Sequence, residues 1–206
     1  MFIYIDFDST IFHTKNFFNY TCLMIANECA KFCAVNDNGK FLNEIQDLYK
    51  TSHIKNVSDF CEKLEERFQI KKGKIKKVIE KSLLNANKFV FSDVIPFLKK
   101  MKGLGHTLIL FTYSEKSGFE YQLSKLKYSG VANFFDDILI TCGDKSKLDL
   151  DYENGVFIDD NPEVLKGLVE NNSKRVIRIC REGCKYSNCV IDLDIEKVSS
   201  LSEILM

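Results

Sequence analysis

Residues Met1 to Thr10 read MFIYIDFDST, a short apolar run that stops at two aspartates, a serine and a threonine. Phe2, Ile3, Tyr4 and Ile5 are β-branched or aromatic with no polar residue among them, the composition of a strand buried on both faces of a parallel sheet. Asp6 and Asp8 emerge at the carboxyl end of that strand, where open parallel sheets place their ligands. Alone, the letters describe equally well a strand followed by an Asx or Ser/Thr turn. Two later runs change their weight. His106 to Phe111 (HTLILF) leads into Thr112-Tyr113-Ser114, and Gly155 to Ile158 (GVFI) leads into Asp159-Asp160-Asn161-Pro162. Parallel strands present their carboxyl ends on one edge, so Asp6, Asp8, Thr112, Asp159 and Asp160 can converge although they are far apart in sequence.

In their order, these motifs resemble the haloacid dehalogenase superfamily of phosphohydrolases: DxDxT after the first strand, Thr or Ser after the second, a downstream lysine, and paired acids after the fourth. The resemblance covers nearly the whole chain. It implies an α/β fold, a doubly wound parallel sheet with a Rossmann-like core, and a helical-bundle cap inserted between the first and second motifs. The catalytic core would comprise residues 1–13 and 89–206 and the cap residues 14–88. One departure stands out. In the helically capped branch the lysine is usually followed by Pro and a full helix, whereas Lys145 to Gly155 leaves room for one or two turns, and no Pro follows Lys145 or Lys147.

Along the chain, Phe17, Tyr20, Cys22, Met24, Cys29 and Cys33 recur at helical spacing, predicting a helix over about Thr14 to Val35 closed by the turn Asn36-Asp37-Asn38-Gly39. Phe41, Leu42, Ile45, Leu48 and Tyr49 mark a second helix. Ser58 can cap a third, with Phe60, Leu64 and Phe68 as its apolar stripe, and Ile75, Val78, Ile79, Leu83 and Leu84 mark a fourth. After Phe89 the core resumes with a helix starting near Pro96 and ending at Gly103 or Gly105. A helix near Gly118 to Lys127 is expected to cover the sheet with Phe119, Leu123 and Leu126, and Gly130 to end it. Phe134 to Thr141 reads as the third strand, and Asn161 caps a helix with Pro162 at its first position. Val176 to Ile179 and Cys189 to Leu193 read as further strands, and a short helix closes the chain at Met206. The alternation of strand and helix implies right-handed parallel crossovers.

The 206 residues carry 29 basic and 29 acidic side chains, so no net field draws the protein to nucleic acid or anionic lipid, and neither is expected as a partner. The apolar start lacks a basic leader and meets Asp6 far short of the roughly 18 apolar residues of a membrane span. A cytoplasmic protein is expected, its eight cysteines free thiols rather than disulfides. Cys180, Cys184 and Cys189 lack the CxxC pair and neighbouring His of a zinc site. The lysine-rich segment Lys71 to Lys81 fits a solvated helix face, or a cap surface attracting an anion. His13 could face a substrate or simply pack, while His53 and His106 fall in loops. Oligomeric state is not encoded in any of these features.

Phosphate-monoester hydrolysis calls for acceleration up to about 10²¹-fold, and general acid–base catalysis supplies only about 10² to 10⁴ of it. A nucleophile, a cation and fixed donors are also needed. By the resemblance, Asp6 is the nucleophile that forms an aspartyl-phosphate and Asp8 the acid and base, an acid that the dehalogenating branch lacks. Mg²⁺ would be held by Asp6, the Asp8 carbonyl and Asp159, with Asp160 as supporting acid or further ligand. Thr112 would donate to a phosphoryl oxygen, and Lys145, or alternatively Lys147, would add positive charge beside Asp6. The activity so implied is a phosphatase acting on a small phosphorylated substrate. Alternatives are a phosphomutase or phosphotransferase, a protein or polynucleotide phosphatase, and a non-catalytic binding protein of the same fold.

Overall fold

The computed structural model describes residues 1–33, 38–51 and 56–205. Its strands are β1 (Phe2–Ile5), β2 (Thr107–Tyr113), β3 (Asp137–Thr141), β4 (Gly155–Asp159), β5 (Arg175–Ile179) and β6 (Glu196–Val198). Its α-helices are α1 (Thr14–Cys33), α2 (Asn38–Thr51), α3 (Val57–Arg67), α4 (Lys74–Leu83), α5 (Val94–Gly103), α6 (Phe119–Ser129) and α7 (Pro162–Glu170). The strands form one parallel sheet in the order β3-β2-β1-β4-β5-β6. The chain winds outward from β1 to β3, then returns to the other side of β1 with β4. The order therefore reverses between β1 and β4, and crevices for ligands form at such reversals.

Period-two alternation sends the strand side chains to opposite faces. Ile3, Ile5, Leu108, Leu110, Val156 and Ile158 face Val94, Phe97, Leu98 and Met101 of α5 and Leu126 of α6. Tyr4, Ile109, Phe111, Phe157 and Val176 face Val164, Leu165 and Leu168 of α7. Helices thus cover both faces, the doubly wound α/β arrangement. Helices α1 to α4, inserted between β1 and β2, bury a separate apolar cluster that includes Ile25, Cys29, Ile45, Phe60, Leu64 and Ile75. No helix among the described residues is long and apolar enough to cross a membrane.

Several local expectations differ from the structure. Helix α3 is capped by Asn56, whose side chain accepts the Asp59 amide at 2.9 Å, and not by Ser58. Leu84 lies beyond α4 and is exposed. Of the turn placed over Asn36 to Gly39, Asn38 and Gly39 open α2, while Asn36 and Asp37 lie outside the described residues, as do His53 and Met206. Strand β2 runs through Thr112 to Tyr113, and β3 begins only at Asp137. Helix α6 is rotated from the expected face: Phe119 and Leu123 are exposed, and Gln122, Lys125, Leu126 and Ser129 are buried. Cys189 to Leu193 is not a strand. Arg178 donates to the carbonyls of Tyr186 (2.8 Å) and Cys189 (2.7 Å), so a side chain takes up backbone acceptors there and the last strand forms later, at Glu196–Val198. The chain closes on a 3-10 turn, Leu201–Glu203. On α4, Lys76, Lys77 and Lys81 occupy the solvent face, and the lysines of this segment do not line the cavity described below.

Candidate active site at the carboxyl edge of the sheet

Asp6 directly follows β1, and its amide donates to the Ile158 carbonyl at 2.9 Å, which holds it on the sheet edge beside β4. The chain then doubles back tightly. The amides of Ile11 and Phe12 both donate to the Phe7 carbonyl at 2.9 Å, and Ser9 takes a left-handed φ of 66°. Arg181, just past β5, fastens this loop by donating Nε and Nη2 to the Thr10 carbonyl (3.1 and 3.0 Å) and Nη1 to Asp93 (2.8 Å). His13 stacks on Phe91 with centroids 5.0 Å apart, so it packs beside the loop and does not line the cavity.

A 3-10 turn at Lys145–Lys147 follows β3, with Asp144 accepting the Ser146 amide at 3.0 Å. Helix α7 approaches this turn so closely that a Cβ at Gly167 would lie 2.2 Å from the Ser146 hydroxyl, which is why glycine stands there. Between Lys145 and the start of β4 at Gly155 the structure has this one 3-10 turn and no α-helix. The turn aims Lys145 inward: its Nζ donates to Asp6 Oδ1 at 2.6 Å and to Asp159 Oδ2 at 2.5 Å, and lies 4.8 Å from the Phe111 ring centroid. Lys147 points to solvent and pairs only loosely with Asp144, at 3.6 Å. The other Asp159 oxygen accepts the Asn161 amide at 2.8 Å, and Asn161 caps α7 by accepting from Glu163.

Asp6, Asp159 and Asp160 are all buried, and each offers an oxygen within 4.8 Å of the other two. Three carboxylates around one ammonium leave two negative charges uncompensated. Burial pushes the Asp6 carboxyl up to about 7 against the pull of Lys145, with Asp159 adding to the rise. Burial, with Asp6 and Asp159 close by, pushes Asp160 up to about 9. Burial opposes the charge on Lys145, but Asp159 and Asp6 outweigh it and hold the ammonium.

Asp8 has the opposite environment. Burial alone would raise its carboxyl, but Lys125, Thr14 and Gln122 together lower it. Lys125 and Thr14 donate to Oδ1 at 2.6 Å each and Gln122 to Oδ2 at 2.7 Å. The same Gln122 amide nitrogen donates to the Thr112 hydroxyl at 3.0 Å. The structure thus brings together Asp6, Asp8, Thr112, Lys145, Asp159 and Asp160. It adds Thr14, Gln122 and Lys125, which sequence reasoning missed. For Gln122 and Lys125 the one signal was their i, i+3 spacing on one helix face, masked by the competing apolar set at Phe119, Leu123 and Leu126; Thr14 had none beyond its place at the start of a helix.

All of these groups except Gln122 line a cavity of about 1470 Å³, which is also lined by Phe18 of α1, Tyr49 of α2 and Tyr121 of α6. Among the described residues, Cys180, Cys184 and Cys189 join no cluster with metal-ligand spacing.

No family model matches the sequence, and no curated protein does. Solved structures do. The chain is similar over 98% of its length to a HAD phosphatase from Thermococcus onnurineus, with 18% identity, 94% of that chain covered and a TM-score of 0.62. It is also similar over 98% of its length to a haloacid dehalogenase-like family hydrolase from Xanthomonas campestris, with 12% identity, 88% of that chain covered and a TM-score of 0.59. A third is a CbbY variant from Rhodobacter sphaeroides in complex with xylulose-(1,5)bisphosphate, at 15% identity, 98% and 95% coverage and a TM-score of 0.55. With its strand order, its helices on both faces and its insert after β1, the chain has the fold of the haloacid dehalogenase-like hydrolases.

Proposed function

We propose that the protein is a magnesium-dependent phosphohydrolase that cleaves a small-molecule phosphate monoester through an aspartyl-phosphate on Asp6. The observation that carries this reading is the trio Asp6, Asp159 and Asp160 gathered around Lys145 at the β1/β4 reversal. The donors are carboxylate oxygens alone, which suits a hard dication, and a dication would match the two charges that Lys145 leaves uncompensated. When bound, magnesium would be held by Asp6, Asp159, Asp160 and the Asp8 carbonyl, and would supply positive charge to the phosphoryl oxygens.

An Asp6 oxygen attacks phosphorus as the ester P–O bond breaks, and the electron pair leaves with the alcohol oxygen, which takes a proton from Asp8. Water then attacks the aspartyl-phosphate, Asp8 takes its proton, and phosphate departs with Asp6 restored. Asp8 rests as the anion, the form that the second step uses. Its acid role in the first step requires prior protonation, for which Oδ2, accepting only from Gln122, keeps a lone pair. Lys145 offsets charge beside the attacking carboxylate, and Thr112 donates to a phosphoryl oxygen. Residues 14–88 act as a cap, since Phe18 and Tyr49 from the insert line the same cavity as the carboxylates.

The test is a panel of phosphorylated metabolites assayed for phosphate release with magnesium and with a chelator. Metal-dependent release from at least one supports the reading, and release that is unchanged by the chelator overturns the metal's part in it. A phosphorylated product in place of free phosphate would indicate transfer to a hydroxyl acceptor rather than to water.

A further inference from the structure

The rotation of α6 is physically unexpected. It leaves Phe119 and Leu123 in solvent and buries an amide and an ammonium. Both of these polar groups end on proposed catalytic side chains. We propose that Gln122 and Lys125 are positioning residues that fix the Thr112 hydroxyl as a donor toward the bound phosphoryl group and hold Asp8 in one rotamer beside it, an inference that rests on the phosphoryl-transfer reading above.

The hydrogen count supports it. A glutamine amide nitrogen carries two hydrogens, and Gln122 gives one to Asp8 Oδ2 (2.7 Å) and one to Thr112 Oγ1 (3.0 Å). The flipped amide would set its oxygen against a carboxylate, so the orientation is dictated by Asp8. Thr112, accepting from Gln122, keeps its own proton for an acceptor in the cavity that it lines. Lys125 secures the other Asp8 oxygen at 2.6 Å. Its ammonium is seated 5.5, 5.7 and 5.8 Å from the ring centroids of Phe7, Phe12 and Tyr121, so the cation is held by the loop that follows β1 as well as by its own helix. One helix face thereby sets the distance between the hydroxyl on β2 and the acid that follows β1, two groups with no covalent reason to stay in register.

The experiment is a double-mutant cycle with p-nitrophenyl phosphate and magnesium, comparing wild type, Gln122→Leu, Thr112→Val and the double variant, with inorganic phosphate affinity measured by calorimetry on the same proteins. Gln122→Leu is expected to lower kcat by about 10- to 100-fold with KM little changed. The double variant should be no slower than the slower single, because Gln122 acts through Thr112 and Asp8. Lys125→Met should lose kcat similarly and Lys125→Arg should recover most of it. Independent, multiplying losses overturn the proposal, as does a Gln122→Leu protein with a lower melting temperature and intact kcat. If Gln122→Leu does not fold, Gln122→Met, of similar length and with neither donor nor charge, gives the same reading. Should wild type bind phosphate without turnover, the cycle is read on phosphate affinity. Neither turnover nor phosphate binding overturns the phosphoryl-transfer reading and this inference together, whereas turnover that Gln122→Leu leaves intact removes only the inference.

Discussion

The proposed metal site should bind magnesium in competition with protons, and the slope of that competition can be worked from its carboxyls. Between about pH 7 and about pH 9, Asp160 still holds a proton that the metal must displace, so magnesium Kd should fall about tenfold per pH unit. Below about 7 Asp6 holds a second proton, and the dependence steepens to about a hundredfold per unit. Above about 9 it should flatten. The sign for stability follows from the same raised carboxyls. In the metal-free protein both groups bind protons that the unfolded chain has already lost, so their contribution is complete below the ordinary carboxylate range and disappears as pH rises through the folded values. Metal-free protein should therefore melt at lower temperature as pH rises from about 5 to about 9, and saturating magnesium should oppose this. The assay is calorimetric titration of magnesium at several pH values, in buffers of different ionisation enthalpy to count released protons. Asp160→Asn should remove the slope above neutrality and most of the alkaline loss of metal-free stability. A Kd that stays constant from about pH 6 to about pH 9, or an Asn variant that keeps the wild-type slope, would refute the reasoning.

Asp6→Asn, nearly isosteric, should keep the fold but lose turnover, and a folded variant retaining more than a few per cent of activity, on the order expected for a dispensable group, rejects covalent catalysis at this residue. Lys145→Ala should lower kcat/KM by about two or more orders of magnitude while Lys147→Ala changes it little, and a defect confined to Lys147→Ala reverses the assignment. Gly167→Ala forces its new methyl to within 2.2 Å of the Ser146 hydroxyl and should cost about 1–3 kcal/mol in urea unfolding, with a loss of kcat as the turn carrying Lys145 shifts; unchanged stability would show that α7 can move away freely.

The sheet was legible because parallel strands buried on both faces leave uninterrupted apolar runs, and β1, β4 and β5 stand within a residue or two of their expected places. The acids and Thr112 were legible for a related reason: a polar group that ends a buried run is conspicuous. Gln122 and Lys125 were not, because helical periodicity identifies a buried face only when that face is apolar. On α6 the apolar positions Phe119 and Leu123 supply a false stripe. The last strand was hidden for a different reason. Ile191, Leu193 and Ile195 do bury side chains against the sheet, so the alternation is real, but the carbonyl of Cys189 is already taken by Arg178. Side-chain burial and strand pairing are separate requirements, and a pattern read from side chains reports only the first.

The distribution of charge among the four carboxylates connects the fold to the chemistry proposed for it. Lys145 bonds Asp6 and Asp159 and acts on Asp160 only through its charge, and the Asp6 and Asp160 carboxyls are raised. Asp8, two residues from Asp6, has a lysine to itself plus a hydroxyl and an amide, and is lowered. Burial pushes Asp6, Asp8 and Asp160 the same way, so the divergence comes from the donors, and the donors come from different elements: Lys145 from the turn after β3, Lys125 and Gln122 from α6, Thr14 from the first residue of the insert. Environments that push neighbouring carboxyls apart mark different roles. The under-compensated trio lacks the positive charge that a dication would bring, while Asp8 is complete without one. Because Thr14 belongs to α1 and donates to Asp8, a displacement of α1 acts directly on Asp8, so under the proposed function the group assigned to proton transfer is mechanically joined to the insert proposed as the cap.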